Sequence, residues 1–134
     1  MVSVVFIYVF MGVRIVLDRA QQKQEVIRAH ELWTHRKNKN YIYTVSYGCG
    51  YTASYRVLHS HGTVQFFFMR PGEFDGRRLQ IDDIFEILEE AASEANTLEF
   101  RYASPGYPEY VKIDWSKDGV DDECFYQVQE FRDL

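Results

Sequence analysis

The densest run of metal-type side chains in the sequence is Asp114-Trp115-Ser116-Lys117-Asp118-Gly119-Val120-Asp121-Asp122. Oxygen ligands fall at its first, third, fifth and ninth positions and glycine at the sixth, the spacing of a calcium loop. The twelfth position, which should be a bidentate Glu, is Phe125, and Lys117 sits inside the run. A β-hairpin with Asp118-Gly119 at its turn accounts for the same residues and is the preferred reading. The calcium reading keeps Asp114, Asp118 and Asp122 as candidate ligands. His59 and His61, two apart, could face one way as a metal pair. No third ligand stands near them, so they are read as flanking an exposed turn. His30 and His35, five apart on a helical pattern, do not share a face.

Cys49 and Cys124 belong to no C-x-x-C pair, so they are either one disulfide or two buried thiols. As a nucleophile, Cys49 would need a neighbouring base and a lowered pKa, which Gly48, Gly50 and Tyr51 do not supply in sequence. The acids Asp82-Asp83 and Asp121-Asp122 fit a helix start and a turn. No phosphate loop or nucleophile elbow is present. Tyr41, Tyr43, Tyr47, Tyr51 and Tyr55 recur through the first two strand patterns, and tyrosine is enriched where proteins bind proteins. Tyr43 and Tyr47, with Tyr107 in the Gly106-Tyr107-Pro108 corner, are therefore the candidate binding face, on a sheet surface expected to be uncovered. The plainer reading of that corner is structural: glycine for an unusual backbone angle, tyrosine to pack, proline to fix φ.

These residues must be positioned by a chain of 134 residues, 46% apolar and 16% aromatic. That length is one domain or one domain plus a terminal segment. Residues 1–80 hold 11 Lys/Arg against 5 Asp/Glu, +6, and residues 81–134 hold 4 against 15, −11. The acidic half argues against nucleic acid as a partner, because phosphate binding needs clustered Lys/Arg.

Residues 1–20 are set apart from a single α+β domain over 21–134. Met1–Val13 is almost wholly apolar, Arg14 interrupts, and Ile15–Leu17 completes the run. It is short for a membrane span and has no basic residue ahead of it. Three readings stay open: a membrane anchor through residues 2–17, a cleaved signal, or a buried element of a soluble fold. A helix is expected over 18–39, with Leu17, Ala20, Ile27, His30 and Trp33 near one stripe. Trp33 is its anchor on the sheet. Strands follow over 41–47, 52–59 and 63–69, the last two joined at Ser60-His61-Gly62, where Gly62 offers positive φ. The second helix rests on Ile81, Ile84, Phe85, Leu88, Ala92 and Ala95. Asp82 and Asp83 suit its first turn, and Glu89, Glu90 and Glu94 are expected in solvent. Three more strands are expected near 97–102, 109–115 and 124–131. The class is α+β: an antiparallel sheet of five or six strands with two helices packed on one face.

The C-terminal run resembles the bacterial domain of unknown function 6174 family, whose members are small and mostly exported or lipid-anchored. The matching pieces are Trp33, Asn40-Tyr41-Ile42-Tyr43, Cys49, Ile81-Asp82-Asp83-Ile84-Phe85, Gly106-Tyr107-Pro108, Ile113-Asp114, Asp121-Asp122-Glu123, Tyr126 and Val128. The likeness covers about residues 30–132. Family members often carry a second cysteine within two residues of the first, where Gly50 and Tyr51 stand here. The departure removes a local disulfide and leaves Cys49–Cys124 as the candidate pair. The resemblance implies an extracytoplasmic or membrane-anchored domain of the bacterial envelope and brings no catalytic residues. The expected function is a non-enzymatic binding or accessory module whose partner is a protein or a small ligand. The alternatives are a calcium-dependent domain or enzyme using the acidic loop 114–123, and a cytoplasmic domain whose N-terminus is core.

Overall fold

The computed structural model describes residues 14–50, 52–68, 77–116 and 123–134. Most of the apolar segment 2–17, and both Asp118 and Asp122, lie outside the described residues. Helix α1 (Arg14–Thr34) leads into β1 (Tyr41–Gly48), β2 (Thr52–Ser60) and β3 (Thr63–Phe68). Helix α2 (Ile81–Glu94) then crosses to β4 (Thr97–Tyr102), β5 (Pro108–Asp114) and β6 (Glu123–Asp133). Every strand pairing is antiparallel, and the strand order is β3-β2-β1-β6-β5-β4. Two meanders are thus joined through the β1–β6 pair, and the helices cover one face. This is the α+β arrangement that the alternating strand patterns and the apolar stripe of α2 predict.

Period-two alternation decides the two faces. Tyr41, Tyr43, Val45 and Tyr47 of β1 are buried toward the helices with Tyr55 and Val57 of β2 and Val111 and Ile113 of β5. β6 adds Cys124, Tyr126 and Val128 to the same face. A register shift opposite Ile42 and Thr44, with Glu130 at φ 55°, inserts one extra residue into β6. That bulge brings Phe131 back to the helix face, where its ring stacks on Tyr107 at 4.8 Å. Without it, Phe131 would point to solvent.

Helix α2 buries Ile81, Ile84, Phe85, Leu88, Ala91 and Ala92 at helical spacing. Asp83 Oδ2 accepts the Gln80 N–H at its start, 2.8 Å away. Its acidic C-terminal turn is answered from α1: Arg19 donates to the carbonyls of Ser93, Ala95 and Asn96. A cation on those orphan carbonyls offsets the negative helix end.

Helix α1 departs from expectation in two ways. It ends at Thr34, not near Lys39, because Lys39 Nζ reaches back to the Thr34 carbonyl and Arg36 turns over the Trp33 ring. Among its described side chains Val26 and Trp33 are buried, with Ala29 packed beside them, whereas Ala20 is exposed. Trp33 does anchor the helix, lying edge-on to Tyr41, Tyr107 and Phe131. No helix among the described residues is long and apolar enough to cross a membrane.

Candidate functional site

The tyrosines expected on an open face are core residues. Tyr43, Tyr47 and Tyr107 are 0%, 4% and 6% exposed. The expectation failed because a tyrosine ring can be buried whenever its hydroxyl finds a partner. Here the partners come from the segment entering α2, which lies across the sheet. The Tyr47 hydroxyl donates to the Arg77 carbonyl at 2.8 Å. Tyr55 donates to the Leu79 carbonyl and accepts the Leu79 N–H. Tyr43 accepts the Ile81 N–H at 3.1 Å. Alternate residues 77, 79 and 81 are thus each held by one tyrosine. Tyr107 packs against Phe131 and Trp33 instead. Its hydroxyl pKa is raised by burial.

The last of these bonds leads to a groove. Tyr43 has one hydroxyl proton, and its oxygen already accepts from Ile81. The same oxygen lies 2.9 Å from His59 Nε2, a bond whose direction is set by the histidine tautomer. His59 Nδ1 has no hydrogen-bond partner among the described residues. Its ring stacks on Tyr41 at 4.6 Å. His59 is half-buried, not exposed beside the turn, while His61 occupies the turn itself at φ 51°. Burial lowers the His59 pKa, and the Asp82 carboxylate partly opposes that shift.

The groove holds about 250 Å³ between the end of α1, the start of α2 and the β1–β3 corner. Trp33, Tyr41 and His59 form its ring wall, and Gln80, Asp82 and Lys39 supply amide, carboxylate and ammonium groups. Asp82 Oδ1 lies 3.1 Å from His30 Nε2, and the other side of that imidazole is 3.5 Å from Glu89 Oε2. His30 itself stacks on Phe85 at 4.6 Å. Glu89, expected in solvent, is half-buried against it. The second oxygen of Asp82 is not engaged among the described residues. Burial first, and the Asp82 charge second, raise the Tyr41 hydroxyl pKa. The groove so combines ring faces, one anion and several donors, which suits a small polar ligand or a projecting side chain.

Sequence spacing could not assemble this site. Trp33, His59 and Asp82 come from three distant segments, and only the strand order places the β2–β3 turn beside the first turn of α2. Sequence alone places His59 beside an exposed turn and Asp82 at a helix start, and links neither to the other.

The remaining candidates sit elsewhere. Asp114 ends β5, where its carbonyl accepts the Asn96 N–H at 2.8 Å and its carboxylate faces the Asn96 amide at 3.4 Å. Among the described residues no three His, Cys, Asp or Glu side chains are grouped to hold a metal ion. Cys49 and Cys124 are bonded to each other, with Cα atoms 4.4 Å apart. The link ties the end of β1 to the start of β6, closing 75 residues of chain. Chain-entropy reasoning values such a loop at about 4 kcal/mol. The face away from the helices is mixed: Phe125 lies over Gly48, where a Cβ would collide with its ring. Ser46 and Ser54, Lys112 and Glu123, and Arg101 and Glu109 pair across the same sheet.

The family of unknown function DUF6174 matches residues 25–133, and the chain belongs to that family. No curated protein and no solved structure matches it.

Proposed function

We propose that this DUF6174 domain is a non-enzymatic binding module working outside the cytosol, and that its contact is the groove and not the tyrosines. The observation that carries the reading is the contrast in hydrogen bonding at the groove wall. Tyr43 uses its hydroxyl fully inside the fold, while His59 Nδ1 and one oxygen of Asp82, two residues lining the groove, have no hydrogen-bond partner among the described residues. Polar groups left so at a groove wall are what a polar ligand replaces water at. The location is supported by the Cys49–Cys124 bond, since structural disulfides persist in oxidising compartments. The apolar segment 2–17 would then direct export or hold the domain at a membrane. Both thiols being joined also removes the only cysteine nucleophiles.

The test is a thermal-shift screen of the full chain against free amino acids, polyamines, short saccharides and small carboxylic acids. A compound that raises the Tm of the parent chain, and loses its effect in Asp82→Asn and His59→Ala, supports the groove. A compound that stabilises all three proteins equally places the contact elsewhere. Alkylation of protein from its native host under non-reducing denaturing conditions tests the location. Two thiols that react there contradict it.

A further inference from the structure

The groove opens beside β3, and β3 is itself an edge of the sheet. Its hydrogen-bond phase follows from the turn. His61 and Gly62 have φ 51° and 81°, the mirror-image geometry of a two-residue hairpin. Ser60 and Thr63 flank that turn as a pair, so they exchange the closing bonds. Every second pair thereafter does the same: Leu58 with Gln65, then Arg56 with Phe67. The N–H and C=O groups of Val64 and Phe66 must therefore point away from β2. No backbone partner meets them among the described residues.

Natural sheet edges are normally blunted by charge, proline or a bulge. The opposite edge, β4, has these devices: Glu99, Arg101 and a register shift at Arg101/Tyr102. β3 reads TVQFFF and has none of them. Val64 is 38% exposed and Phe67 48%. An uncharged extended edge with two outward donors and two outward acceptors specifies an extended strand as its occupant.

We propose that this occupant is β3 of a second copy, paired antiparallel about a two-fold axis at Gln65. In that register Val64 of each copy exchanges both backbone bonds with Phe66 of the other. The four outward groups of Val64 and Phe66 are satisfied on each side. Gln65 meets Gln65 of the second copy, and Thr63 meets Phe67. No like charges are opposed, although the chain carries a net charge of −5 that resists self-association elsewhere. A two-fold pairing closes on itself, and the protected β4 edge keeps it from growing into a filament. One short strand edge is small beside the ~1,200 Å² of a stable interface, so the dimer is weak and concentration-dependent. Thr63 and Val64 also line the groove, so the paired strand would border it; the inference itself rests on the strand edge and not on a groove ligand.

Sedimentation velocity of the full chain over a concentration series tests it. The expected result is a monomer–dimer equilibrium. Val64→Pro removes an N–H that faces outward, a position where an edge strand tolerates proline. It should leave the near-ultraviolet circular dichroism unchanged and raise the dimer dissociation constant at least about tenfold, since each copy loses one ladder bond. Gln65→Lys should give a monomer, and mixing it with Gln65→Glu should restore a mixed dimer. A chain that is monomeric at every concentration overturns the proposal. So does a dimer indifferent to Val64→Pro, which would arise from another surface, or a Gln65→Lys chain that pairs as well as the parent.

Discussion

The three tyrosines beneath the entry to α2 and the groove beside them use similar chemistry to opposite ends. Tyr43, Tyr47 and Tyr55 are aromatic groups with polar tips, buried, each hydroxyl bonded to backbone of the segment 77–81. Tyr41, His59 and Asp82 are also rings and polar groups, a few ångströms away, but they border a cavity. The difference teaches that residue type does not separate support from contact. What separates them is whether every polar atom is bonded within the fold, as in Tyr43 and Tyr55, or one is left over among the described residues, as in His59 and Asp82.

Breaking the supporting side should cost most. Tyr43→Ala removes a fully buried ring and leaves both the Ile81 N–H and His59 Nε2 without their partner. A loss of about 3–5 kcal/mol in unfolding free energy is expected. Urea denaturation checks it, and a loss near zero would return Tyr43 to the surface.

The boundary between the two regions should respond to pH. The folded His59 pKa lies below its ordinary value, chiefly through burial. The unfolded chain therefore takes up this proton first as pH falls. Its contribution is flat above about pH 6.5 and becomes destabilising as pH drops from there toward the folded pKa. His59→Gln keeps a hydrogen-bonding group opposite the Tyr43 hydroxyl but does not titrate. Its stability should fall less steeply over that window than the parent's; parallel curves would mean His59 is not the group responsible.

The groove side should be nearly silent in stability. Asp82→Asn gives up an exposed hydrogen bond with His30 and part of a helix-terminus interaction, together about 0.5–1 kcal/mol. The same change should abolish ligand-induced stabilisation. A much larger loss on unfolding would make Asp82 a structural joint.

Much of the fold was legible because it rests on local periodicity. The Ile81-to-Ala92 stripe defines α2, and the alternation of Tyr41 to Tyr47 defines β1. Gly62 was recognisable as the positive-φ residue of the β2–β3 turn. What could not be read was set by distant partners. The end of α1 depends on Lys39 folding back and on Arg36 meeting three rings and Asp133. The side of Phe131 depends on the bulge at Glu130. Which face of β1 is covered depends on residues 77–81 reaching the tyrosine hydroxyls, some thirty residues away in sequence. The groove is further removed still, since no pattern within one segment links Trp33, His59 and Asp82.

A tyrosine hydroxyl matters here by its bonds within the fold. Tyr55 and Tyr102 offer the direct test, since the Tyr55 hydroxyl is bonded both ways to Leu79 while the buried Tyr102 hydroxyl has no partner among the described residues. The measurement is the unfolding free energy of Tyr55→Phe beside Tyr102→Phe. A loss of about 2–3 kcal/mol is expected for the first, and no loss or a slight gain for the second. Equal effects, or the larger loss at Tyr102, would contradict it.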